Sequence, residues 1–394
     1  MARTYLDHNA TTPLRPEARA AMLRLLDLPG NASSVHAEGH AARMALETAR
    51  TQVAGLVGAD PDEIVFTGGG TESNNLAIFG AVLRDAGAGA RRIVTSAIEH
   101  PSVLGPCRDL ADRGFEVVQV RPDRRGVVVA DDVLEACSGG AALVSLMLAN
   151  NEVGTIQPVA EVARGLRGRG TLIHCDAVQA AGRIPLHVPD LDVDLLSLSA
   201  HKCGGPAGTG ALYVRRGVVL RPLVRGGGQE QNRRPGTENT VSIAGFGAAA
   251  AAARAALPRE ADRLSALRDH LEDRVLRDIP DTRVNCRGAA RLPNTTSLAI
   301  AGVDGETLVI GLDLEGIAVS AGSACSAGTL RRSHVLEAIG ALDAAGTSIR
   351  VSLGPATGEA DVAALVVALD RVVTRARRTA AGVTDGMTTA GRAR

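Results

Sequence analysis

Short apolar runs alternate with helical patterns through most of the first 240 residues. Runs rich in Val, Ile and Leu fall at Glu63–Thr67, Arg92–Ser96, Glu116–Val120, Ala142–Leu148, Thr171–Cys175, Leu195–Ser199 and Gly210–Val214. They lack the in–out alternation of half-exposed strands, as expected where both faces of a sheet are covered. Helical stretches lie between them, among them Glu72–Arg84, Val103–Arg113 and Val159–Arg167. This alternation predicts βαβ units, and hence an α/β fold with a mostly parallel central sheet flanked by helices.

Near Val241 the pattern changes. An Ala-rich helical segment is followed, after Pro258, by a helix over Arg259–Asp278 with Leu264, Leu267, Leu271 and Val275 at core spacing. A second, smaller α+β unit then follows. It runs strand Thr296–Ile300, helix Gly305–Glu315, strand Ile317–Ser320, helix Ser333–Ile339, strand Ser348–Leu353 and helix Glu359–Arg377. After Thr379 periodicity stops, and residues 380–394 read as a frayed, flexible tail.

At 394 residues the chain is long enough for two or three packed domains with large cores. Its 43 basic residues balance 43 acidic ones and are scattered, which argues against direct nucleic-acid binding. No apolar run reaches membrane-spanning length and Met1–Asp7 is not a signal peptide, so a soluble cytoplasmic protein that does not engage a membrane is expected. The six cysteines include no Cys-x-x-Cys pair, and no metal site is expected. Among the 43 basic residues a single one, Lys202, is lysine. Arginine stays protonated and cannot act as a neutral amine nucleophile, so Lys202 is a candidate for that chemistry. A solvated surface cation is the alternative that composition leaves open.

Ligands of open α/β sheets bind beyond the carboxyl ends of the strands. Three predicted strands end on polar residues there: Asn150-Asn151-Glu152, Asp176, and His201-Lys202. The intervals from Asn151 to Asp176 and from Asp176 to Lys202 are 25 and 26 residues, the length of successive βαβ crossovers, so the three can meet on one edge. A lysine, an aspartate and a phosphate cradle together suit pyridoxal 5'-phosphate. The amine forms a Schiff base, and the carboxylate partners the pyridine nitrogen. Backbone N–H groups at a helix start receive the phosphate. Gly68-Gly69-Gly70-Thr71, between a predicted strand and helix, is the candidate cradle.

Ten ordered stretches then identify a family. They are Tyr5–Thr12, Asn31–His36, Phe66–Ser73, Ile98–His100, Asn150–Gly154, His174–Gln179, Ser199–Lys202, Arg234–Asn239, Ser320–Cys325 and Ser348–Gly354. The chain resembles the cysteine desulfurases, pyridoxal-phosphate enzymes of the class V aminotransferase, fold type I architecture. The resemblance implies a large cofactor-binding domain over 15–257. It implies a small domain made of 1–14 and 258–379 that carries the catalytic-cysteine loop. It further implies that Lys202 forms the Schiff base and moves protons. His100 lies over the cofactor ring as a catalytic residue and is a candidate acid/base, Asp176 pairs with the ring nitrogen, and Gln179 and Asn151 approach the ring hydroxyl. Gly70, Thr71, Ser199 and His201 hold the phosphate, and Thr237 reaches the cofactor phosphate of the other subunit of a homodimer. Arg350 and Asn151 bind the substrate L-cysteine, and Cys325 attacks its sulfur.

Cys325 lies in Ser320–Gly328, composed only of Ser, Ala, Gly and Cys, a composition that packs little and suits a thiol that carries sulfur away. The stretch resembles the group with an extended loop, of the nitrogenase and iron–sulfur-assembly type. The implied partner is a sulfur-acceptor protein, either an iron–sulfur scaffold or a thiolation enzyme. In a scaffold complex Cys325 would also be a transient cluster ligand. A selenocysteine lyase or another class V aminotransferase is the alternative enzyme, and a non-catalytic sulfur-relay scaffold the alternative outside catalysis. Cys175 and Cys203, beside Asp176 and Lys202, read as packing residues because strand neighbours face opposite sides. His36 reads as shaping the entrance to the site.

Overall fold

The computed structural model describes residues 3–84, 90–321 and 332–390. A short strand, β1 (Thr4–Tyr5), opens the chain. Seven strands then build one sheet: β2 (Ile64–Thr67), β3 (Arg92–Ser96), β4 (Glu116–Val120), β5 (Leu143–Met147), β6 (Leu172–Asp176), β7 (Leu195–Ser199) and β8 (Gly210–Val214). Their order is β2-β8-β7-β6-β5-β3-β4. β8 alone runs against its neighbours; the remaining pairs are parallel. The expected mostly parallel sheet is therefore present.

Successive side chains of these strands feed two cores. Leu195 packs with Leu76, Ile78 and Leu110 of the helices Gly70–Val82 and Pro101–Asp112. Leu196 and Leu198 pack with Val53 and Phe246 on the other face. This two-sided burial is why the strands read as continuous apolar runs.

The helix Thr240–Asp278 is continuous through Pro258, where two helices were expected. Pro258 is exposed, so water can satisfy the carbonyl that its missing N–H leaves free. One end of this helix, through Phe246, Ala249 and Ala253, packs on the large sheet. The other, through Leu264, Leu267, Leu271 and Val275, packs on the second sheet. Among the described residues it is the one helix that contains a stretch long and apolar enough to cross a membrane.

The second sheet begins with β9 (Thr282–Val284) and β10 (Thr295–Ile300). The predicted strand Ile317–Ser320 is two short ones, β11 (Ile317–Ala318) and β12 (Ser320–Ala321), which change partner at Val319. β11 pairs with β1. β12 joins β13 (Ser348–Ser352) in an antiparallel sheet ordered β12-β13-β10-β9. The last helix, Glu359–Ala390, extends past the predicted Glu359–Arg377 into the segment read as a tail.

Candidate active site

The carboxyl ends of adjacent strands β5, β6 and β7 carry Asn151, Asp176 and Lys202 into one cavity of about 340 Å³. That lies within the range of about 300–1,000 Å³ usual for small-molecule sites. β3 leads into His100, and β2 into Gly70 and Thr71; all three residues line the same cavity, with Gln179, Ser199, His201 and Arg350. Crossovers of similar length between parallel neighbours produce this convergence.

Lys202 Nζ donates to the main-chain carbonyls of Asn9 at 2.5 Å and Ala10 at 2.8 Å. Asp176 is buried. Its Oδ2 accepts from Asn74 Nδ2 at 2.7 Å and its Oδ1 from Val178 N at 3.0 Å. Burial first, then the nearby Lys202 and Arg183 charges, push His201 down to about 4, so this ring is neutral at pH 7. His100 is also held below the ordinary imidazole value, by burial above all, with Asp176 pulling the other way and Lys202 and His334 adding to the depression.

The donor set fits pyridoxal phosphate. No side chain caps the helix Gly70–Val82, leaving N–H donors of its first turn to an anion. A Cβ on Gly70 would lie 2.8 Å from Val178 and 3.3 Å from Ser199, so the cradle closes only around glycine. Asn74 Oδ1 is buried without a hydrogen-bond partner, and beside the Asp176 carboxylate it forms an acceptor pair suited to a protonated ring nitrogen. Arg350, also in the cavity lining, is 2% exposed and its Nε is buried without a partner, a donor left for a carboxylate.

Of the remaining sequence candidates, Thr237 is exposed and outside this cavity. His36 also lies outside its lining and caps the helix Ala37–Val57 by accepting from Gly39 N at 3.3 Å. Cys325 lies outside the described residues. Sequence reasoning missed Asn9, Asn74 and Ser102, which line the cavity.

The five described cysteines are unsuited to attack. Burial pushes Cys107 up to about 12 and Cys137, Cys203 and Cys286 up to about 11. Cys175 stands well above the ordinary thiol. Each is held as a thiol, whereas the thiolate is the nucleophile. Cys175 and Cys203 are packed as expected.

The sheet, the cavity and its lysine define an enzyme of the class-V aminotransferase type, and that family's pattern, Aminotransferase class-V, matches residues 4–365. The chain is 45% identical over 375 residues to the cysteine desulfurase IscS of Dictyoglomus turgidum, covering 95% of each chain. Among solved structures it superposes on a NifS-like protein with a TM-score of 0.88 at 37% identity, over 94% of this chain and 99% of that one. It also superposes on SspA in complex with cysteine, with a TM-score of 0.79 at 33% identity, over 89% of this chain and 99% of that one. The chain belongs to the class-V aminotransferase family and, within it, to the cysteine desulfurases.

Proposed function

We propose that this chain converts L-cysteine to L-alanine, leaves the sulfur on Cys325 as a persulfide, and passes it to an acceptor protein. It works as a pyridoxal-phosphate homodimer in the cytoplasm. The observation that carries this reading is the convergence of the only lysine, Asp176 and an uncapped helix start on one cavity.

The cofactor, when bound, draws electron density from the α-carbon of the amino acid it holds. Lys202 supplies the amine that carries it and then moves the α-proton. Asp176 holds a proton on the ring nitrogen, while Gln179 and Asn151 approach the ring hydroxyl. Gly70, Thr71, Ser199 and His201 hold the phosphate, and Thr237 serves the phosphate in the other subunit. Arg350 binds the substrate carboxylate, for which its partnerless buried Nε is suited. The Cys325 thiolate attacks the substrate sulfur. The S–Cβ bond breaks with its electron pair left on carbon, which takes up a proton and leaves as L-alanine.

Support for Cys325 comes from the other five cysteines, each held protonated by burial. Cyanolysis after L-cysteine treatment tests the reading. Wild type should yield thiocyanate and Cys325→Ala none. Alanine release at the normal rate by Cys325→Ala would overturn the assignment.

A further inference from the structure

His100 caps the helix Pro101–Asp112, and the cap constrains its ring. Nδ1 accepts from the Ser102 backbone N–H at 3.1 Å and lies 2.7 Å from the Ser102 hydroxyl oxygen. A backbone N–H only donates, so Nδ1 presents a lone pair and carries no proton. The hydroxyl is oriented one step further back. Asn74 Nδ2 donates to Ser102 Oγ at 2.8 Å and to Asp176 Oδ2 at 2.7 Å. An ionised carboxylate only accepts, so the Asn74 atom that bridges these oxygens is its amide nitrogen. Ser102 Oγ receives one hydrogen from Asn74 and has its own to give to His100. A line of donors therefore runs from Asn74 through Ser102 to Nδ1, with its direction set by the Asp176 carboxylate. Asn74, Ser102 and Asp176 are all buried, so water does not compete for these bonds.

We propose that Asn74 and Ser102 are positioning residues that keep the single proton of the His100 ring on Nε2, so that this ring serves as a neutral N–H donor to anionic atoms bound in the cavity and not as the base that takes a thiol proton. The inference rests on the reading of His100 as a group that acts on substrate. Among the described residues, the titratable groups facing it are Asp176 at the end of β6, Lys202 after β7 and His334 on the helix His334–Ala338. Lys202 and His334 oppose a second proton on the ring, as burial does, and Asp176 favours one. The two donors on Nδ1 add to the first group, because an imidazolium would have to turn an N–H toward them. A thiol proton then has no vacant nitrogen to go to, and the base that activates Cys325 is a different group.

The test is a nitrogen-15 spectrum of the holoenzyme labelled at histidine, with the His100 signals assigned by their loss in His100→Asn. Wild type near neutral pH should show Nδ1 bare and Nε2 protonated. In Ser102→Ala one of the two Nδ1 donors is gone, and His100 should bind a second proton about tenfold more tightly. Ser102→Thr keeps a hydroxyl and should restore the wild-type titration. A proton on Nδ1 in wild type, or a Ser102→Ala titration that matches wild type, would overturn the proposal. Normal turnover by His100→Asn would instead remove His100 from the reaction, so the two failures are distinguishable.

Discussion

Asp7 Oδ1 accepts a hydrogen bond from Arg350 Nη2 at 2.7 Å, while Arg350 Nη1 donates to the Asn151 carbonyl at 3.1 Å. Both ends of the guanidinium are thereby fixed before any substrate arrives, and Nε is the atom left over. A carboxylate meets a preorganised cation and has less ordering to impose. Asp7→Ala releases one end. The expected outcome is a KM for L-cysteine raised about tenfold, with kcat changed less, since a charge-assisted hydrogen bond contributes about 1.5 kcal/mol or more. Steady-state alanine formation reads both constants, and an unchanged KM would remove Asp7 from the orientation of Arg350.

Lys202→Arg is the sharpest test of the only lysine in the chain. The two side chains share charge and similar reach, and the carbonyls of Asn9 and Ala10 that hold Nζ can accept from a guanidinium. The protein should fold and retain cofactor non-covalently. An always-protonated guanidinium has no lone pair for the cofactor aldehyde, so borohydride should fix no cofactor to the chain, and no alanine should form. Mass spectrometry and an alanine assay check the two halves, and substantial turnover would remove Lys202 from the chemistry.

Glu99 and Glu152 predict a pH dependence of stability. Burial pushes Glu99 up to about 8, against hydrogen bonds from Ser96 and Met147 N. Burial likewise pushes Glu152 up to about 7, against the hydrogen bond from Ser333 and the Arg350 charge. The folded chain keeps protons that the unfolded chain releases above about pH 4.5. Their stabilisation is complete below that value and is lost as pH rises through about 7 and about 8. His8, His174 and His201, depressed to about 4, act in the opposite sense, but only below about 6.5. Glu152→Gln should therefore gain on wild type by about 1.4 kcal/mol per pH unit between about pH 4.5 and 7. Urea unfolding at stepped pH measures the difference, and parallel wild-type and variant curves would contradict it.

Much of this was legible in the chain because the signal was local. β3, β4, β7 and β8 begin and end at the residues that the apolar runs predict. The meeting of Asn151, Asp176 and Lys202 followed from crossover length alone. What escaped depends on tertiary partners. Pro258 looks like a helix stop until its exposure is known. Ile317–Ala318 and Ser320–Ala321 look like one strand until their different neighbours are known. Asn74 falls inside the predicted helix Glu72–Arg84, Ser102 just before the predicted helix Val103–Arg113 and Asp7 within the Tyr5–Thr12 stretch, and the sequence assigns none of the three a role. Only the approach of Asp176, His100 and Arg350 gives them work, and no local pattern encodes that approach.

Arg183 carries the last prediction. It is buried, and among the described residues it has no carboxylate partner. Its guanidinium donates to the carbonyls of Gln179 at 3.1 Å and His8 at 2.9 Å, and to Gln179 Oε1. Burial, then the Arg350 charge, pushes it down to about 10, still protonated at pH 7. A guanidinium cannot accept, so Gln179 must turn its oxygen to Arg183 and its NH2 away, where it donates to Asn9 O at 3.1 Å on the cavity wall. Arg183 therefore decides which end of Gln179 is offered to a cofactor oxygen. Arg183→Met should weaken pyridoxal phosphate binding about tenfold, and Arg183→Lys, which keeps a donor, should weaken it less. Titration of the apoenzyme by absorbance reads both. If Arg183 acts through Gln179, adding Gln179→Ala to Arg183→Met costs little more than either change alone, because both remove the same hydrogen bond. Losses that simply add would show that the two side chains serve the cofactor independently.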